Sequence, residues 1–200
     1  MADDLFVQRV KSQLVPVLHQ QQFRGRFPDF TRRIGPLIQQ ISIRGSRNGS
    51  ARSLTAGIGF DFLDDVSSFE GGIEYHMPFA NETATDGWWR YNRESAVDCE
   101  TKADNLIHCF HVSADGFFIR YSEFPGSFAT LTLHDLQFAP PSFLPPRPFR
   151  NVARDCFVLM HLWHFLGNES RACEFAAAGM ENSQNAVKLR AKFEAYLSSR

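Results

Sequence analysis

The longest regular pattern of apolar and polar positions along this 200-residue chain falls between residues 37 and 62. The even positions Leu54, Ala56, Ile58, Phe60 and Phe62 are apolar, and the odd positions from Ser53 to Asp61 are small or polar. Alternation at period two sends the two sets to opposite faces of a strand. Leu37, Ile41 and Ile43 set against Gln40, Ser42 and Arg44 predict a partner strand from Leu37 to Arg44. The six residues between them, Gly45 to Ser50, include two Gly, two Ser and Asn48, types that suit the positive φ of a hairpin loop.

Around this hairpin the periodicity changes. Asp3 or Asp4 caps a first helix whose apolar positions are Phe6, Val10, Leu14, Val17 and Leu18, and Pro16 is expected to end or kink it. Phe23 to Ile34 reads as one short strand. A polar loop at Asp64 to Ser68 precedes a fourth strand at Gly72 to Met77. From Lys102 onward Leu106, Cys109, Phe110 and Ser113 recur at helical spacing, while residues 116 to 122 fit either a helix or another strand. Five prolines (Pro140, Pro141, Pro145, Pro146 and Pro148) predict a stiff linker. Beyond it come a buried helix from Pro148 to Leu166, a short one from Ser170 to Ala178 stopping at Gly179, and a last one carrying Ala186, Leu189, Phe193 and Tyr196. The expected fold class is therefore α+β: an N-terminal helix, a small antiparallel meander and a C-terminal segment resembling a helical hairpin. Its parts are residues 1–139, a linker at 140–148 and a helical segment at 149–200.

Composition adds an aromatic core, since 20 residues are Phe. Each buried ring contributes about 1.5–3 kcal/mol of transfer free energy, so neither metal nor disulfides are needed for folding. The net charge of −1 gives no whole-protein field for nucleic acid. Locally, residues 24 to 52 hold seven Arg against Asp29 alone, and residues 61 to 104 hold eleven acids against Arg90, Arg93 and Lys102. Either the two segments face and neutralise each other, or the first forms an anion-binding sheet. Cys99, Cys109, Cys156 and Cys173 lack CxxC spacing, and the acidic start Met1-Ala2-Asp3-Asp4 leads into no apolar signal core. Reduced thiols in a cytoplasmic protein follow from that pattern. The apolar run Phe157 to Leu166 is too short to span a bilayer, so no membrane partner is expected.

Several short motifs in the first half resemble a bacterial family, domain of unknown function 4304. They are Pro16-Val17-Leu18, Phe23, Phe30-Thr31-Arg32, Ile41-Ser42-Ile43-Arg44-Gly45-Ser46 and Gly57-Ile58, together with the pair Trp88-Trp89. The resemblance covers roughly residues 5–95. Arg44 stands where that family's pattern has Gln, two residues before the Ser. The resemblance implies an α+β fold and lends no activity.

For chemistry, His108 and His111, and likewise His161 and His164, sit three apart, about 5–6 Å between Cβ atoms on a helix. If the two pairs converged, four imidazoles would suit Zn or another transition metal in a metal-dependent enzyme. No Gly-x-Ser-x-Gly elbow or phosphate-cradling glycine loop occurs, and no cofactor is expected. The polar face of the hairpin is the sharper candidate. There Thr55, Gly57 and Gly59 make a flat floor beside Gln40 and Arg44, with Arg33 one strand further and Trp88 and Trp89 as anchors. The leading expectation is a non-catalytic cytoplasmic module binding another protein, of immunity or accessory type by analogy, through that floor or the C-terminal helices. The alternatives are anion or nucleic-acid binding through the arginines and the histidine-based metalloenzyme.

Overall fold

The computed structural model describes residues 4–63, 73–80, 82–137 and 151–200. Helix α1 spans Leu5–Gln20, started by the Asp4 carboxylate, which accepts the Phe6 amide at 3.1 Å. Pro16 does not end it: the helix continues for one more turn past the proline. The proline is exposed, on the side of the helix away from the core, where a carbonyl that loses its intrahelical bond costs least. Buried Phe6, Val10, Leu14 and Leu18 meanwhile fix the helix from its inner side.

The single strand expected at 23–34 is two strands, β1 (Arg24–Arg26) and β2 (Asp29–Ile34), folded back at Phe27-Pro28. Pro28 has no amide to offer a ladder, which interrupts the run. The hairpin follows as β3 (Leu37–Gly45) and β4 (Ala51–Phe60), then β5 (Ile73–Pro78) and β6 (Trp88–Arg90). All pairings are antiparallel, in the order β1-β2-β3-β4-β5, with β6 also on β4. The loop expected at Asp64 to Ser68 and the prolines at 140–148 lie outside the described residues.

Register sets the two faces. Leu37 lies opposite Phe60, Ile41 opposite Ala56 and Ile43 opposite Leu54, and all six are buried against helices. Helix α2 (Ala96–Arg120), capped by Ser95, packs on β4, β6 and α1, so residues 116–120 are helical rather than a strand. A polar strut crosses this interior. The Arg32 guanidinium donates to Gln39 Oε1, and Gln39 Nε2 donates to the Tyr121 carbonyl at 2.7 Å. Arg32 also lies over Phe23 and Phe118, 4.6 and 5.2 Å from their ring centres.

A 3-10 turn (Gly126–Thr130) and α3 (Leu133–Gln137) lead towards the C-terminal helices α4 (Val152–Phe165), α5 (Glu169–Glu181) and α6 (Val187–Ser198). Helix α5 runs past Gly179, the residue expected to stop it. Gly179 is packed directly against the Phe193 ring of α6, a position that admits no side chain. Ala172 and Ala176 are buried on the same helix. The buried residues of sheet, α1, α2 and the C-terminal helices form one continuous hydrophobic cluster.

Candidate docking surface

The polar face of the sheet has the expected register but is not an open floor. Gln40 lies opposite Gly57, Ser42 opposite Thr55, and Arg44 opposite Ser53. Gln40 is 7 % exposed, Ser42 2 %, and both glycines are buried. Its two arginines are engaged: Arg44 meets Asp29 at 3.2 Å, and Arg33 meets Asp61 at 3.3 Å. Ser42 donates to the same Asp29 carboxylate at 2.7 Å. Trp88 and Trp89 are consecutive on β6 and so point to opposite faces. Trp89, across from Arg52, is 1 % exposed in the core; Trp88, across from Ser53, is half-buried. Of the five residues singled out on sequence, only Trp88 keeps an accessible surface with no side-chain bond or ring contact among the described residues.

The arginine-rich segment is used largely for internal pairing. Arg52 meets Asp4 at 3.0 Å in a mostly buried pair, and the Tyr91 hydroxyl donates to the same carboxylate at 2.6 Å. Burial first, then the Asp4 bond, pushes the Tyr91 hydroxyl up to about 12. Of the basic-to-acidic contacts expected between residues 24–52 and 61–104, Arg33 with Asp61 is one; Arg44 and Arg52 find acids elsewhere.

The two histidine pairs lie on different helices. His108 and His111 are exposed on α2, His161 and His164 lie on α4. Among the described residues no group of three or more His, Cys, Asp or Glu side chains is placed to hold a metal ion. His111 sets its edge against Phe110, and His161 packs edge-on to Phe157 at 4.5 Å. Burial, followed by the neighbouring His164, Lys192 and Arg154, pushes the His161 imidazole down to about 4. His164 Nδ1 lies 2.7 Å from Glu169, whose other oxygen accepts the Tyr196 hydroxyl at 2.7 Å and faces Arg200. These bonds, that from Tyr196 first, hold Glu169 below the usual carboxylate range. The four cysteines are free, and burial pushes the Cys156 thiol up to about 12, far from a reactive thiolate.

Next to the His164 network lies a surface that the alternation pattern alone does not reveal. Phe165 and Leu166, at the end of α4, are 51 % and 37 % exposed. The Phe165 ring stacks on Phe62 at 4.9 Å and meets Phe124 edge-on at 5.8 Å. Phe62 and Phe124 in turn lean on buried Phe60. Gly167, with φ +74°, turns the chain directly after the patch. Asp61, paired with Arg33, directly precedes Phe62, and His164, joined to Glu169 and through it to Arg200, directly precedes Phe165. The result is an apolar platform with a charged margin, resting on rings fixed from beneath.

No protein-family model, curated protein or solved structure matches the chain. Among the described residues no helix is long and apolar enough to cross a membrane.

Proposed function

We propose that the protein is a non-catalytic recognition module that binds another protein through the Phe165 platform. One observation carries this reading: a half-exposed aromatic ring is packed against Phe62 and Phe124, with the ion-paired Asp61 and His164 next to the rings in sequence. Exposed apolar patches with polar rims favour association, and an anchor with fixed rotamers loses little entropy on binding. The reading belongs to the C-terminal helices rather than the sheet floor, where Gln40 and Ser42 are buried and Arg33 and Arg44 are ion-paired. Three of the seven arginines that a phosphate footprint would use, Arg33, Arg44 and Arg52, are paired with Asp61, Asp29 and Asp4, which weakens that footprint and favours a protein partner over nucleic acid.

The test is affinity capture from the native host with wild-type protein and with Phe165→Asp, each checked for folding by circular dichroism. A partner retained by wild type and weakened at least about 30-fold by Phe165→Asp, the scale of an interface hot spot, is the expected result. Equal retention by both forms would overturn the assignment. So would a Phe165-dependent species that proves to be a second copy of this chain.

A further inference from the structure

A separate concavity of about 630 Å³ opens at the end of the sheet, between the β3–β4 turn, β6 and the start of α2. Its size suits a single small ligand. Trp88 supplies one wall; its half-buried indole has no aromatic or cationic partner among the described residues. The other walls carry amides whose orientation is fixed by what they accept. Asn48 Oδ1 accepts the Ser46 hydroxyl at 2.7 Å and the Ser50 amide at 3.2 Å. Asn92 Oδ1 accepts the Glu94 amide at 3.0 Å. Each oxygen being committed, each Nδ2 is left as a donor with no partner among the described residues. Asp98 accepts the Asn92 amide through one oxygen at 2.6 Å and keeps the other as an acceptor. The Ser50 hydroxyl, able to donate or accept, makes no side-chain bond among the described residues. Arg90 is locked to Asp86 by two bonds of 3.1 and 2.7 Å and adds no loose charge.

This combination has a specific chemistry. A flat aromatic face, two oriented N–H donors, a carboxylate acceptor and a two-way hydroxyl match a ring with one apolar C–H face and several hydroxyl groups at its edge. A purely anionic ligand would oppose Asp98, and a purely apolar one would leave the amides unpaired. We infer that the concavity beside Trp88 is a saccharide-binding site that stacks one pyranose ring on the indole. Asn48 and Asn92 donate to its hydroxyl oxygens, and Asp98 accepts from a hydroxyl. The site is on a different surface from the Phe165 platform and is independent of what docks there.

The test is an amide and indole NMR titration of the full chain with D-glucose, D-galactose, D-mannose and N-acetylglucosamine, and with disaccharides of each. A single-ring site without covalent or metal contacts is expected to bind in the millimolar range, about −4 kcal/mol. The expected shifts are confined to the Trp88 indole N–H and the Asn48 and Asn92 side-chain amides. A disaccharide binding about tenfold tighter than its monomer assigns the site to a glycan chain, and equal affinity assigns it to a free sugar. Trp88→Ala is expected to abolish the shifts. Asn92→Asp keeps an oxygen to accept the Glu94 amide but replaces the Nδ2 donor by a charged acceptor, so it must weaken binding, with circular dichroism checking that the fold stays intact. Absence of any shift from all the sugars would overturn the inference. Equal shifts from the open-chain polyol glucitol, which has no ring face, would do the same, as would unchanged binding by Asn92→Asp.

Discussion

Phe62, just past the end of β4, and Phe165, at the end of α4, stack with ring centroids 4.9 Å apart and planes 24° apart. The pair joins the sheet to the C-terminal helices, and its outer member is half exposed. Packing and recognition therefore meet in one ring. If the stack contributes to stability, Phe62→Ala and Phe165→Ala will not be additive. A double-mutant cycle by urea denaturation is expected to return a coupling of about 0.5–1.5 kcal/mol, the range for aromatic pairs. Strict additivity would mean that the rings are neighbours without being partners.

The strut Arg32–Gln39–Tyr121 makes two opposite predictions. Gln39→Leu removes the acceptor used by half-buried Arg32 and the donor used by the buried Tyr121 carbonyl. Its expected cost is about 2–4 kcal/mol, because buried polar groups lose their partners. The Tyr121 hydroxyl, in contrast, is buried without a hydrogen bond among the described residues. Tyr121→Phe should therefore leave stability unchanged or raise it by up to about 1 kcal/mol. Thermal or urea unfolding of the two variants reads both outcomes. A Tyr121→Phe loss as large as that of Gln39→Leu would contradict this arrangement of bonds.

Gly179 is fixed by its neighbour rather than by its backbone. A methyl group there would overlap the Phe193 ring, which is fully buried between the helices. Gly179→Ala, usually favourable in a helix by about 1 kcal/mol, is here expected to destabilise by about 1–3 kcal/mol through overpacking. Pairing it with Phe193→Leu should restore part of the loss. A stabilised Gly179→Ala single variant would show that α5 and α6 are further apart than described.

His161 predicts an acid limb. Its imidazole is held down to about 4 in the folded chain against 6.5 when unexposed to those surroundings. Between those values the unfolded chain binds the extra proton, so stability falls as pH drops from 6.5 towards 4. Above 6.5 both states are neutral at this site and the contribution is flat. Allowing for solvent screening of a partly exposed ring, the loss at pH 4.5 is about 1–2 kcal/mol relative to pH 7. Urea midpoints at the two pH values should differ less in His161→Leu than in wild type. An identical difference in both proteins would assign the acid sensitivity to other groups.

Much of the fold was legible because the apolar positions of the alternation in β3 and β4 are the ones that face the hydrophobic core. Leu54, Ala56, Ile58 and Phe60 are inward, and Gln40 and Ser42 face the other way. What local pattern did not reveal was which polar residues the interior accepts. Gln39 is in the core layer beside Ile41 because Arg32 and the Tyr121 carbonyl, 82 residues away, satisfy it. The tryptophan pair shows the same limit at β6. Only the register with Arg52 and Ser53 decides that Trp89 is core and Trp88 is accessible. The Phe165 platform has no signature at all in one stretch of chain. It is assembled from Phe62, Phe124 and Phe165, and short apolar runs in sequence cannot show that their rings meet.

A photoreactive benzoylphenylalanine placed at position 165, irradiated in the native host and read by mass spectrometry, probes the platform where it would touch a partner. A single foreign protein joined through residue 165, and absent when the same probe is put at exposed Val187, is the outcome that a docking surface requires. Adducts only with this chain itself, or the same yield from both positions, would mean that nothing is recognised there.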